Sequence, residues 1–136
     1  MGMYKYVKQS FARSLAERSD AYRKRITEWR GQNVAMRVEN PLNPVRAHEL
    51  GYKAKKGFAI VRVRVAKGKR KRRAPDLGRK PGKNVKKVPP GISLQRIAER
   101  KVLLRHANMR VIGSYVVGED GTDKYFEVIL HDKTME

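Results

Sequence analysis

Tyr4, Val7, Phe11 and Leu15 recur at three- and four-residue spacing while Lys5, Lys8, Arg13 and Arg18 point elsewhere, so the first eighteen residues predict an amphipathic helix. Ser19 and Asp20 can cap a second helix from Ala21 to about Gly31, with Tyr22, Ile26 and Trp29 on one stripe and Arg23, Lys24, Arg25 and Arg30 around it. Both helices are expected to turn an aromatic stripe to the core and a basic face to solvent or to a polyanion. In "ENPLNPVRAHELGYK" Pro41 breaks the chain, Asn43 can cap, Pro44 suits the first helical position and Gly51 the residue past the end, which predicts a short connecting helix.

The period then changes from three-to-four to two. "FAIVRVRV" is rich in β-branched residues and places Val61, Val63 and Val65 on one face of a strand. Arg62 and Arg64 share the other face with Ile60, about 6.6 Å apart, and that face is expected to be wet. After a long polar stretch, Ser93 can cap a helix through Leu94, Ile97, Ala98, Val102 and Leu103, whose other face carries Arg96, Arg100, Lys101 and Arg105. "MRVIGSYVVGEDGTDKYFEVILHD" closes the pattern with two runs around a turn of Gly, Asp and Glu, a hairpin with Val116, Phe126, Val128 and Leu130 as expected core residues. No internal repeat is present. The elements predict an α+β fold, a small antiparallel sheet with packed helices and a long basic loop, and 136 residues allow one domain, 1–136.

Charge changes the picture. Lys+Arg number 33 against 13 Asp+Glu, a formal net charge of +20. Self-repulsion of that size opposes a compact state and points to a compensating polyanion, most often nucleic acid. The cations concentrate in the stretch from Ala66 to Ile92, which holds eleven Lys or Arg, four Gly, four Pro and one acid, Asp76. Such a segment has little to bury and cannot offset its ordering entropy alone, so it is expected to be mobile until phosphates order it. A polybasic nuclear-targeting segment or a plain flexible linker are the competing explanations.

Catalytic and metal chemistry find little support. Cysteine is absent, which removes disulfides, zinc knuckles and thiol nucleophiles. His48, His106 and His131 fall in three separate elements with no motif around them. Glu119, Asp120 and Asp123 fit turn chemistry better than a cation loop. "GRKPGKN", from Gly78 to Asn84, fails the phosphate-loop pattern in its glycine spacing and in Asn84, which stands where a hydroxyl is needed. No stretch of eighteen apolar residues and no secretory leader is present, so the expected location is the cytoplasm. Zinc-finger, basic-zipper and RNP aromatic patterns are missing too, and a mixed domain with a long basic excursion suits irregular folded RNA better than duplex DNA.

Three stretches, "MGMYKY" at 1–6, "ELGYKAKKGFAIVRVRVAKGKRKR" at 49–72 and "SYVVGEDGTDKYFEVILHD" at 114–132, resemble the fifteen-e family of large-subunit ribosomal proteins of archaea and eukaryotes, with "SLQRIAER" at 93–100 fitting between them. The resemblance implies helices on an antiparallel sheet, extensions buried in ribosomal RNA, and a structural rather than catalytic role. By it, Tyr52, Lys53 and Lys55 of "GYKAK" and the cations Arg62, Arg64, Lys67, Lys69, Arg70, Lys71, Arg72 and Arg73 are expected rRNA contacts. The charge pattern adds Lys5, Lys8 and Arg13 of the first helix, Lys56, and Arg79, Lys80, Lys83, Lys86 and Lys87 of the 66–92 loop. Members of that family usually continue past the hairpin into a long basic extension, whereas this sequence ends at Glu136. The expected function is a structural constituent of the large ribosomal subunit, an rRNA-binding domain with neighbouring ribosomal proteins as partners. No cofactor, membrane or small-molecule substrate is expected. A DNA-compacting chromatin protein is the alternative.

Overall fold

The computed structural model describes residues 2–73, 77 and 87–135. Two helices, α1 (Gly2–Glu17) and α2 (Asp20–Gly31), lead into the short strand β1 (Ala35–Val38) and the helix α3 (Pro44–Glu49). Then come the long strand β2 (Phe58–Ala66), the two-residue strands β3 (Arg70–Lys71) and β4 (Lys87–Val88), helix α4 (Leu94–Leu103) and the hairpin of β5 (Met109–Glu119) and β6 (Asp123–Asp132). Strands β1, β2, β6 and β5 form one antiparallel sheet in that order, and β3 pairs with β4 in a separate ribbon.

The caps form where the sequence signals them. Ser19 Oγ accepts the amide of Tyr22, Asn43 Oδ1 that of Arg46, and Ser93 Oγ that of Arg96. Gly51 follows α3 with φ of +97°, a conformation glycine adopts without steric penalty.

Helices cover both faces of the sheet. On one face Ala98 and Val102 of α4 pack on Val61, Val63, Val65, Phe126, Val128 and Leu130. On the other, Tyr22, Ile26 and Trp29 of α2 and Ala47 of α3 pack on Tyr115, Val117, Tyr125 and Ile129. The expected wet face of β2 is therefore a covered one, because α2 lies over it: Ile60 is buried and Arg62 and Arg64 are half-buried. α2 comes so near β5 that a Cβ on Gly118 would stand 2.9 Å from Ile26 Cδ1 and 3.3 Å from Trp29 Cζ3. Strand β6, at the centre, is buried from Tyr125 to His131 without alternation, since it has a helix layer on either side.

Three further differences from the sequence reading have local causes. β1 is too short for its period to register and exists by pairing with β2, Ala35 opposite Val63 through Val38 opposite Ile60. α1 has no buried residue; Leu15 only edges the core, so this helix lies against the domain rather than inside it. Val116, expected in the core, is half-buried, and Leu103, read as part of the apolar run of α4, is exposed. Residues 74–76 and 78–86 lie outside the described residues, and with them most of the expected loop, the "GRKPGKN" stretch and the expected mobility. The described ends of the 66–92 segment carry Ala66 of β2 and the β3–β4 pairing.

Candidate nucleic-acid interface

The cations fall into two populations. One is engaged by the fold. The Arg62 guanidinium lies 4.3 Å from the centre of the Trp29 ring and donates to Gln32 Oε1 at 2.6 Å. Burial lowers its proton affinity below that of a free arginine, with the charge of Glu127 opposing that shift. Arg64 donates to the Arg30 carbonyl at 2.7 Å, where α2 ends. Lys67 donates to the Asp120 carbonyl at 2.7 Å and pairs with Glu119 at 3.1 Å, holding that carboxyl below its usual range. Lys8 pairs with Glu49, and Arg13 lies 3.9 Å from Glu17. The half-buried Tyr52 ring meets Phe58 and His48 edge-on at 6.1 and 5.8 Å, and Lys55 stands 6.0 Å above Phe58.

The other population is bare. Lys5, Lys53, Lys56, Lys69, Lys71, Arg72 and Lys87 are exposed, and among the described residues none has an acidic partner. Arg73 is exposed but not bare, since it makes a contact of its own. Arg70 opens β3, paired with Val88. Arg79, Lys80, Lys83 and Lys86 lie outside the described residues. The ribbon gives its cations one locus: Lys71 stands directly opposite Lys87, with Lys69 and Arg72 beside them. Two like charges across an antiparallel pair disfavour it, and a two-stranded ribbon of this length is marginal by itself. A phosphate lying between the two lysines reverses the sign of that interaction.

Arg37 on β1 and Arg96 and Arg100 on α4 are also exposed without an acidic partner among the described residues, and none had been singled out as a contact. Arg96 and Arg100 are four apart on one helical face, a like-charge pairing that disfavours the helix and was visible in the sequence. For Arg37 the sequence carried no signal.

The acids are used structurally. Asp120 Oδ1 accepts the amides of Thr122 and Asp123 at 2.8 and 2.6 Å, and Oδ2 takes the Arg30 guanidinium at 2.8 Å. Burial works to raise this carboxyl, but those amides and Arg30 outweigh it and hold it at about 2. Glu127, fully buried on β6, accepts the Tyr115 hydroxyl at 2.5 Å and the Leu42 amide at 3.0 Å, tying the segment before α3 to the sheet. Burial pushes its carboxyl up, against those two hydrogen bonds and Arg62. The three histidines stay apart: His48 is on α3, His106 follows α4, and His131 lies buried against Phe58 on β6. Among the described residues no three His, Cys, Asp or Glu side chains cluster to hold a metal ion.

A small α+β domain with so large a cation surplus, part locked into the fold and part left bare on a ribbon, has the character of a ribosomal protein. The chain belongs to the ribosomal L15 family, whose model matches residues 2–136. It is 45% identical over 132 residues to the large ribosomal subunit protein eL15 of Nanoarchaeum equitans, covering 97% of this chain and 70% of the relative. It is 47% identical over 111 residues to the large ribosomal subunit protein eL15 of Metallosphaera sedula, covering 81% of this chain and 51% of that relative. The chain thus spans about half the length of the second relative. The resemblance read from "MGMYKY", "GYKAK" and the hairpin agrees with that membership, and so does a structural rather than catalytic role.

Proposed function

We propose that this chain is a structural constituent of the large ribosomal subunit that binds folded ribosomal RNA through its bare cations, in the cytoplasm and beside other ribosomal proteins. One observation carries the reading: the β3–β4 ribbon sets Lys71 against Lys87 and flanks them with Lys69 and Arg72, all exposed and without acids among the described residues. An arrangement that disfavours itself in water becomes favourable when a phosphate backbone releases its counterions to these groups. Lys53 and Lys56, before the start of β2, and Lys5 on the first helix supply a second set of bare cations for the same RNA. Arg62 and Arg64 serve it indirectly, by fixing α2 on the sheet that carries the ribbon. The relatives' names place those proteins in the large subunit and support the same position here.

The test is sedimentation of the endogenous protein. It should travel with large subunits at low salt and leave them only at high salt, and in competition it should choose structured rRNA over random duplex DNA. Free protein at low salt refutes the reading, and preference for duplex DNA favours a chromatin role.

A further inference from the structure

The groove between α1 and α3 is not used by the fold. It is open, encloses about 650 Å³ and is lined by Tyr4, Lys5 and Lys8 from α1 and by Val45 and His48 from α3. That volume lies within the roughly 300–1,000 Å³ of small-ligand sites. Val45, itself buried, gives it an apolar base. Tyr4 is 56% exposed although it faces this cleft, and His48 is exposed as well. The His48 ring is held in place: its Nδ1 donates to the Pro44 carbonyl at 2.6 Å, which leaves Nε2 as its other hydrogen-bonding nitrogen, and it meets Tyr52 edge-on. The acid in the groove, Glu49, is already taken by Lys8 and Arg46. Lys5 has no acidic partner among the described residues.

We propose that this groove receives one unpaired nucleobase of the bound RNA, stacked against Tyr4 beside His48, with the adjoining phosphate held by Lys5. The proposal rests on the rRNA-binding reading above and deepens it from backbone contact to capture of a base. A planar, sequence-tolerant ligand matches an exposed tyrosine over an apolar base, and its phosphate matches the cation at the rim. A stable protein partner needs about 800 Å² on each side, far more than this single recess offers, whereas one base fits it and the Lys5 ammonium stands at its rim. Tyr6, two residues on and so about 200° around the helix, lines a different groove with Phe11 and Leu42, which makes it an internal control.

The experiment uses the full chain with an RNA hairpin whose loop carries a fluorescent adenine analogue quenched by stacking, and with the same stem closed as a continuous duplex. The wild type should quench the loop probe and bind the hairpin more tightly than the duplex. Tyr4→Ala should abolish the quench and weaken hairpin binding by on the order of tenfold, with duplex affinity and Tm unchanged. Tyr4→Phe and Tyr6→Ala should keep the quench. A Tyr4→Ala protein that still quenches, or that loses hairpin and duplex affinity equally, overturns base capture but leaves backbone binding standing. A wild type that binds neither RNA overturns both readings.

Discussion

The sheet face beneath α2 and the β3–β4 ribbon are both rich in cations, yet they treat charge in opposite ways. Under α2 each cation has been given a fixed partner: Trp29 and Gln32 for Arg62, the α2 C-terminal carbonyl for Arg64, Glu119 and the Asp120 carbonyl for Lys67. On the ribbon Lys69, Lys71, Arg72 and Lys87 have no such partners among the described residues. Alternation of Arg with Val in β2 and a run of cations in β3 look alike as composition. Position relative to a covering helix separates charge locked into the fold from charge left exposed on the ribbon.

The sharpest way to break that contrast is to neutralise the ribbon. Replacing Lys69, Lys71, Arg72 and Lys87 together by Gln should make the log–log salt dependence of rRNA binding shallower by about 3 and lower affinity on the order of a hundredfold or more. Thermal unfolding should stay within experimental error, and an unaltered slope would remove the ribbon from the interface. Arg62→Ala should do the reverse. Losing the Trp29 stacking and the Gln32 hydrogen bond should cost about 1–3 kcal/mol in denaturant unfolding, with the salt slope intact.

Smaller effects come from the acids that anchor the same region. The Asp120 carboxyl is held at about 2, below its ordinary value, so its contribution is present above pH 4 and disappears as pH falls towards 2. Asp120→Asn should remove that acid-limb dependence and cost about 1–2 kcal/mol near neutrality. Glu127 has the opposite sign. Its folded-state proton affinity is raised by burial, so its contribution is full below the unfolded value near 4.5 and declines as pH rises through the folded value. Glu127→Gln keeps an acceptor for Tyr115 and Leu42 and should flatten the stability profile above pH 4.5, the least of these changes. A Glu127→Gln profile identical to the wild type would contradict the burial argument.

Much of this was legible along the chain. Ser19, Asn43 and Ser93 cap the helices they were expected to cap, because capping is decided within four residues. The β2 period and the closing hairpin hold for the same reason, since side-chain alternation and turn chemistry are local. The cation surplus pointed to a polyanion from composition alone, and the ordered blocks from "MGMYKY" to "FEVILHD" pointed to the family.

What the chain could not disclose is which cations remain available. That depends on α2 crossing the sheet, a contact made by Trp29 and Arg62 thirty-three residues apart and by Arg30 and Asp120 ninety apart, and no local pattern encodes such distances. β1 likewise exists only through its register with β2, and the Tyr4 groove only because α3 lies beside α1. Sequence alone settled the helices, their caps, the long strands and the surplus of positive charge. Tertiary packing decided how that charge is shared, because burial and pairing belong to surfaces that meet only after folding.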